Sequence, residues 1–102
     1  MAKGFYIGTD LKFKIDIQAD GFDMEYDDFS VALKCGNNTI EVPKENIVND
    51  GEGNWFVLVS TDVFRGSGLV SMIVTAYVPD EDFPSGIRRE VEKIELCVIK
   101  SV

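Results

Sequence analysis

The chain contains no histidine. That absence removes the commonest general base, the Ser-His and Cys-His nucleophile pairs, and histidine-based zinc or iron sites. Cysteine is almost as scarce. Cys35 and Cys97 are far apart and in no CxxC pair, too few for a disulfide scaffold or a zinc site. Basic residues are in deficit, 10 Lys and Arg against 18 Asp and Glu, for a net charge of −8. Such a chain repels a phosphate backbone and an anionic leaflet, so neither nucleic acid nor a membrane surface is an expected partner. No apolar run approaches the ~18–20 residues that span a bilayer. The first residues, MAKGFYIGTD, lack the hydrophobic stretch of a signal peptide. The expectation is therefore a soluble protein without membrane insertion, cytoplasmic or virion-associated. No GxxxxGK[ST] loop exists to cradle a phosphate, and Gly66-Ser67-Gly68 reads as a turn.

What remains is enough for one core. The 102 residues fit a single domain spanning 1–102. With 45% hydrophobic residues, seven Phe, three Tyr and one Trp, the chain can bury roughly two-thirds of its unfolded surface. It needs neither disulfide, metal nor cofactor to fold.

Two-residue alternation dominates. Leu11, Phe13, Ile15 and Ile17 alternate with Lys12, Lys14, Asp16 and Gln18, a half-buried strand with one wet face. Phe29, Val31 and Leu33 give the next strand, and CGNNT is a turn in which Gly36, Asn37 and Asn38 tolerate positive φ. Thr39 to Val42 returns as a short strand stopped by Pro43. PKENIV can hold one helical turn, and NDGEGN is a second turn. Asn54 to Ser60 is strand-like, and STDVFRGSG reads as a short turn with Ser60 or Thr61 as cap and Gly66 as stop. Leu69 to Val78 is apolar on both faces and belongs in the middle of a sheet. The last strand, Ile87 to Lys100, changes apolar parity between Val91 and Ile94, which places a β-bulge near Glu92 and Lys93. Six or seven such strands predict an all-β, antiparallel two-sheet sandwich of immunoglobulin-like form. A small OB-like barrel is the alternative. By parity Cys35 falls on the apolar face with Phe29, Val31 and Leu33, and Cys97 opposite Ile94, Leu96 and Val98. Two free thiols, at least one buried, are favoured over a bridge across the core.

Carboxylates are the one abundant chemistry. A pair could perform glycosidic acid–base work, but a sandwich this small leaves little room for a cleft that would desolvate one, so no catalytic residue is assigned. Calcium requires six to eight oxygen ligands. Asp20, Asp23, Asp27 and Asp28, with Glu25 between them, are weak candidates on composition, as are the turns at Asn49–Asp50–Glu52 and Asp80–Glu81–Asp82. None has EF-hand spacing. Asn37-Asn38-Thr39 matches the glycosylation triplet but lies in a tight turn, where chance is the better account.

The stretch YVPDEDFPSGIRREV, residues 77–91, links the two longest strands. Pro79 and Pro84 cannot donate to a ladder, and Ser85-Gly86 turns the chain back. Its Pro79–Arg89 portion is then a long hairpin connection, either a solvated tip or a recognition element presenting Tyr77, Phe83, Arg88 and Arg89 together. Phe83, an aromatic among charges, either covers the end of the sandwich or waits for a partner.

The runs GTDLKFKIDIQADGF, DDFSVALKCGNNTI and STDVFRGSGLVSMIVTAYVP resemble, over roughly residues 8–78, the N-terminal immunoglobulin-like domain of phage baseplate upper proteins and related small sandwich proteins of prophages and mobile elements. The shared pattern is a Gly-Thr/Asp entry to an alternating strand, a second strand ending in a Gly/Asn turn, and a polar turn stepping into the penultimate strand. The resemblance implies a structural, non-catalytic role in a phage-tail-like or mobile-element assembly. The residues alone imply a module acting by protein contact or self-association, through sheet edges and the hairpin. The alternative is a carbohydrate- or surface-binding adhesin module using Tyr6, Tyr26, Trp55 or Tyr77, with calcium in the acidic loops.

Overall fold

The computed structural model describes residues 3–64 and 66–100. Arg65, inside the predicted turn STDVFRGSG, lies outside the described residues. Eight strands form in chain order: β1 Lys3–Tyr6, β2 Asp10–Ile15, β3 Phe29–Cys35, β4 Asn38–Glu41, β5 Ile47–Asn49, β6 Trp55–Ser60, β7 Gly68–Pro79 and β8 Ile87–Lys100. Single 3₁₀ turns occupy Lys44–Asn46 and Thr61–Val63. Two sheets result, a five-stranded one ordered β1-β8-β7-β3-β4 and a three-stranded one ordered β2-β6-β5. No closed barrel forms among the described residues.

The all-β reading holds, and the antiparallel one needs a correction. β1 pairs in parallel with β8, Lys3 opposite Cys97 through Tyr6 opposite Lys100. β1 and β2 follow one another in the chain yet join different sheets. β1 and the three-residue β5 are the two strands that alternation did not reveal, because each is too short to show a period. The expected helical turn after Pro43 is present as Lys44–Asn46. The first predicted strand stops at Ile15 rather than Ile17. Between β3 and β4 only Gly36 (φ 59°) adopts positive φ, at the first central position of a two-residue connection, as a type II′ turn requires. β7 is central as expected, flanked by β3 and β8.

The core lies between the layers. Leu11, Ile15, Val57 and Val59 of the small sheet meet Val31, Leu33, Val70, Met72, Cys97 and Ile99 of the large one, all buried. Each such aliphatic side chain contributes about 1.5–3 kcal/mol by leaving water. The layers differ in length. β2 and β6 have six residues each, about 20 Å at ~3.3 Å per residue, whereas β8 has 14. The small sheet therefore covers only one half of β8. Cys97 and Ile99 sit beneath it and are buried, while Arg88, Glu90 and Glu92, whose partners across the ladder are the buried Val78, Ala76 and Val74, lie beyond it. The change from IRREVEKIE to LCVIK marks where the second layer begins.

The bulge exists but not where parity placed it. The register of β7 and β8 shifts between Val70–Cys97 and Ser71–Glu95, so the extra residue is Leu96 rather than Glu92 or Lys93. Parity could not locate it, because Val91 and Ile94 both lie beyond the small sheet and are exposed. Their hydrophobicity does not report which way each side chain points. The shift also corrects the assignment of Cys97, which turns inward and is fully buried. Cys35 and Cys97 are both free. Each pairs with Val70 from opposite sides, which sets them two strand spacings apart, roughly 10 Å. That exceeds the ~7 Å limit for a disulfide, and since both are on one sheet no bridge could cross the core.

The two sheets are tied at one corner by Thr61, which is fully buried. Its hydroxyl accepts from the Gly8 N–H at 2.8 Å and donates to the Thr9 carbonyl at 2.8 Å, while its own N–H donates to that carbonyl at 3.1 Å. Neither Ser60 nor Thr61 caps the 3₁₀ turn through its side chain. The residue read as a cap instead fastens the crossing from β1 to β2.

Candidate interaction surface

Past the small sheet, the core side of the β7–β8 hairpin is covered by the connection from β2 to β3, residues 16–28. Gly21 sits against Val78, where an added Cβ would lie 3.8 Å from its Cγ1. Phe22 meets Phe29 edge-on at 6.4 Å, and Phe29 meets Trp55 edge-on at 5.7 Å. Arg88, in the core-side row, fixes the connection: its guanidinium donates to Asp80 at 2.6 Å, to the Asp20 carbonyl at 3.0 Å and to Glu90 at 3.2 Å. The side-chain bonds to Asp80 and then Glu90 raise the Arg88 pKa further. The Asp82 N–H, followed by Arg88, holds the Asp80 carboxyl below its usual range.

The hairpin tip, Asp80–Gly86, is built from its own backbone. The Asp80 N–H donates to the Gly86 carbonyl at 2.9 Å and the Gly86 N–H to the Phe83 carbonyl at 2.8 Å. Gly86 holds φ at 77°, in the left-handed region where a side chain would be strained. Ser85 accepts from the Ile87 N–H and donates to its carbonyl. Phe83 rides on this turn, 43% exposed.

The outer side of the hairpin has no layer over it among the described residues. Tyr77 is directly opposite Arg89, Thr75 opposite Val91 and Pro79 opposite Ile87. Ile87 is 44% and Val91 65% exposed. β3 extends this face with Ser30, Ala32 and Lys34. Among the described residues the edge of β8 is open as well, since β1 pairs there only with Cys97–Lys100 and leaves Ile87–Leu96 without a described neighbouring strand on that side. The charges of RREVEKIE along it are the usual protection of an exposed edge.

Of the four residues expected to be presented together, the structure gathers two. Tyr77 and Arg89 share the outer face, Phe83 is at the tip, and Arg88 points to the opposite side and serves the fold. Alternation in β8 contains this split, because adjacent residues of a strand face opposite ways. The outer-face residues Ile87, Val91 and Lys93 were not among the expected contact residues: they read only as part of the last strand, and the length mismatch of the sheets shows that they are outside.

The acidic loops are wired internally. The Asp23 N–H donates to Asp27 at 2.8 Å and the Glu25 N–H to Asp23 at 2.9 Å. Asp28 pairs with Lys44 at 3.3 Å, and Asp20 supplies only its backbone carbonyl, to Arg88. In NDGEGN, Asp50 accepts from Asn54 and Glu52, which lowers its pKa. No group of three or more His, Cys, Asp or Glu converges as a metal site among the described residues. Tyr6 and Tyr77 share the outer face of the large sheet, but their β8 partners Lys100 and Arg89 are separated by roughly 30 Å of strand. Tyr26 and Trp55 lie on the 16–28 connection and on β6 of the small sheet, so the four form no common platform. Trp55 is half-buried in its stack with Phe29, beside a pocket of about 160 Å³ that also touches Asp28 and Lys44. No helix is long and apolar enough to cross a membrane. Compared with protein-family models, curated proteins and solved structures, the chain matches none.

Proposed function

We propose that this protein is a non-catalytic, immunoglobulin-like sandwich module that works by protein–protein contact through the outer face of its β7–β8 hairpin. The observation that carries the reading is the pair of aliphatic side chains Ile87 and Val91, 44% and 65% exposed, set in a face with Tyr77 and Pro79. Apolar side chains that cluster on an uncovered sheet face mark a contact surface, and Ile87 and Val91 form such a cluster with Tyr77 and Pro79 across the ladder. The resemblance to phage baseplate domains supports placing that contact in a phage-tail-like or mobile-element assembly.

The test is purification of the tagged protein from its native host after mild cross-linking, with Val91→Glu as control. The reading expects self-association or a defined partner at moderate salt, lost in the variant while thermal melting is unchanged. A protein that stays monomeric and partnerless, or a complex indifferent to Val91→Glu, would refute it.

A further inference from the structure

Charge is distributed unevenly over the surface, and the unevenness singles out a partner for the outer face. By register this face carries the basic residues Lys34, Arg89, Lys93 and Lys100 against the acidic Glu41 and Glu95. It is a net positive surface on a chain of net charge −8. The complementary feature is the 16–28 connection, which holds Asp16, Asp20, Asp23, Glu25, Asp27 and Asp28 and no basic residue. Of these six, only Asp28 forms an ion pair among the described residues. In their midst Tyr26 is 84% exposed, the most exposed of the large hydrophobic side chains in the described part of the chain. Its backbone is held in a turn by the Tyr26 N–H to Asp23 carbonyl bond at 3.2 Å.

We infer that the occupant of the outer sheet face is a second copy of this chain, which docks its acidic 22–28 turn there with Tyr26 as anchor. The inference rests on the reading of that face as a contact surface. The chemistry of the halves matches. A tyrosine ring supplies apolar area at small entropic cost and is enriched among interface anchors. Ile87, Val91 and Tyr77 offer it an apolar floor, and Arg89 and Lys93 can lie over its ring and meet the flanking carboxylates. The arrangement of the halves on one molecule matters equally. The connection is fastened to the core side of the hairpin, through Gly21 on Val78 and Asp20 on Arg88, whereas the basic face is the outer side. Each copy therefore presents complementary patches on opposite sides, a head-to-tail contact that propagates into a ring or a filament rather than closing as a two-fold dimer.

The experiment uses light scattering on three proteins, the wild type, Tyr26→Ser and the double variant Arg89→Glu/Val91→Asp, alone and mixed. All the substituted side chains are exposed, and unchanged melting confirms folding. The wild type is expected to self-associate with rising concentration, less so at high salt because exposed charges are screened. Each variant alone should associate at least about tenfold more weakly, the loss of one anchor. Mixed, the two variants should form a complex limited to two chains, because each retains one intact half. Three outcomes overturn the inference: a wild type that stays monomeric, a Tyr26→Ser protein that assembles like the wild type, or a mixture that stays monomeric. If the host-cell complex is lost with Val91→Glu but kept with Tyr26→Ser, the face serves a different protein and only the head-to-tail inference fails. If neither substitution affects any association, the contact-surface reading fails with it.

Discussion

Replacing Thr61 by valine removes one hydroxyl from a fully buried site and keeps the shape of the side chain. The Gly8 N–H then loses its acceptor at 2.8 Å, and the Thr9 carbonyl keeps only the Thr61 N–H at 3.1 Å. Gly8 itself is exposed, so water can take the place of the lost acceptor, and the cost is that of two ordinary hydrogen bonds at about 0.5–1.5 kcal/mol each, about 1–3 kcal/mol together. At about 4–8 °C per kcal/mol for a domain of this size, the midpoint should fall by roughly 5–20 °C. Thr61→Ser keeps both hydroxyl bonds and loses one methyl, about 1 kcal/mol. Thermal melting should therefore rank wild type, then serine, then valine. Hydrogen exchange at the Gly8 amide, slow in wild type and serine, should become fast in valine. A valine protein as stable as the wild type, with Gly8 still protected, would refute the assignment of this hydroxyl as the tie between the sheets.

Further outcomes follow from the same geometry. Burial pushes the thiols of Cys35 and Cys97 above their ordinary value, and for Cys97 the neighbouring Cys35 adds to it; both should resist a thiol reagent in the native protein, react once it is unfolded, and show no disulfide by mass under oxidising conditions. Asp50 and Asp80 have folded pKa values below the 3.8 of the unfolded chain. Their contribution to stability is complete above 3.8 and is lost as pH falls below it through the depressed folded values. Melting midpoints measured down the acid limb should fall less steeply for Asp80→Asn than for wild type. Gly86→Ala forces a side chain into φ 77° with nothing near the added Cβ; it should cost about 1–2 kcal/mol, read in urea melts.

The extended architecture was legible because alternation is strong where one face of a strand is wet and the other dry. Leu11 to Ile15, Phe29 to Leu33, and the apolar-on-both-faces segment of β7 all report their surroundings in this way. The logic fails in β8, where both rows are exposed beyond the small sheet. There Val91 and Ile94 mimic a core pattern, and the bulge at Leu96 and the inward turn of Cys97 could not be located. The parallel partner of β8 was illegible for another reason: KGFY is too short for a period, and its place depends on a long-range pairing with the other end of the chain. The interaction surface was half legible. The hairpin stands out through its prolines and charges, but whether Arg88 or Arg89 faces outward depends on a register that composition does not contain.

The central claim is that a second copy of this chain docks its 22–28 turn on the outer face of the β7–β8 hairpin, and amide chemical shifts followed through a dilution series test it most directly. The account predicts concentration-dependent shifts at Thr75, Tyr77 and Ile87 to Lys93 together with Glu25 to Asp27, while amides of β2 and β6 stay fixed. Shifts confined to the small sheet, or none at any concentration, would contradict it.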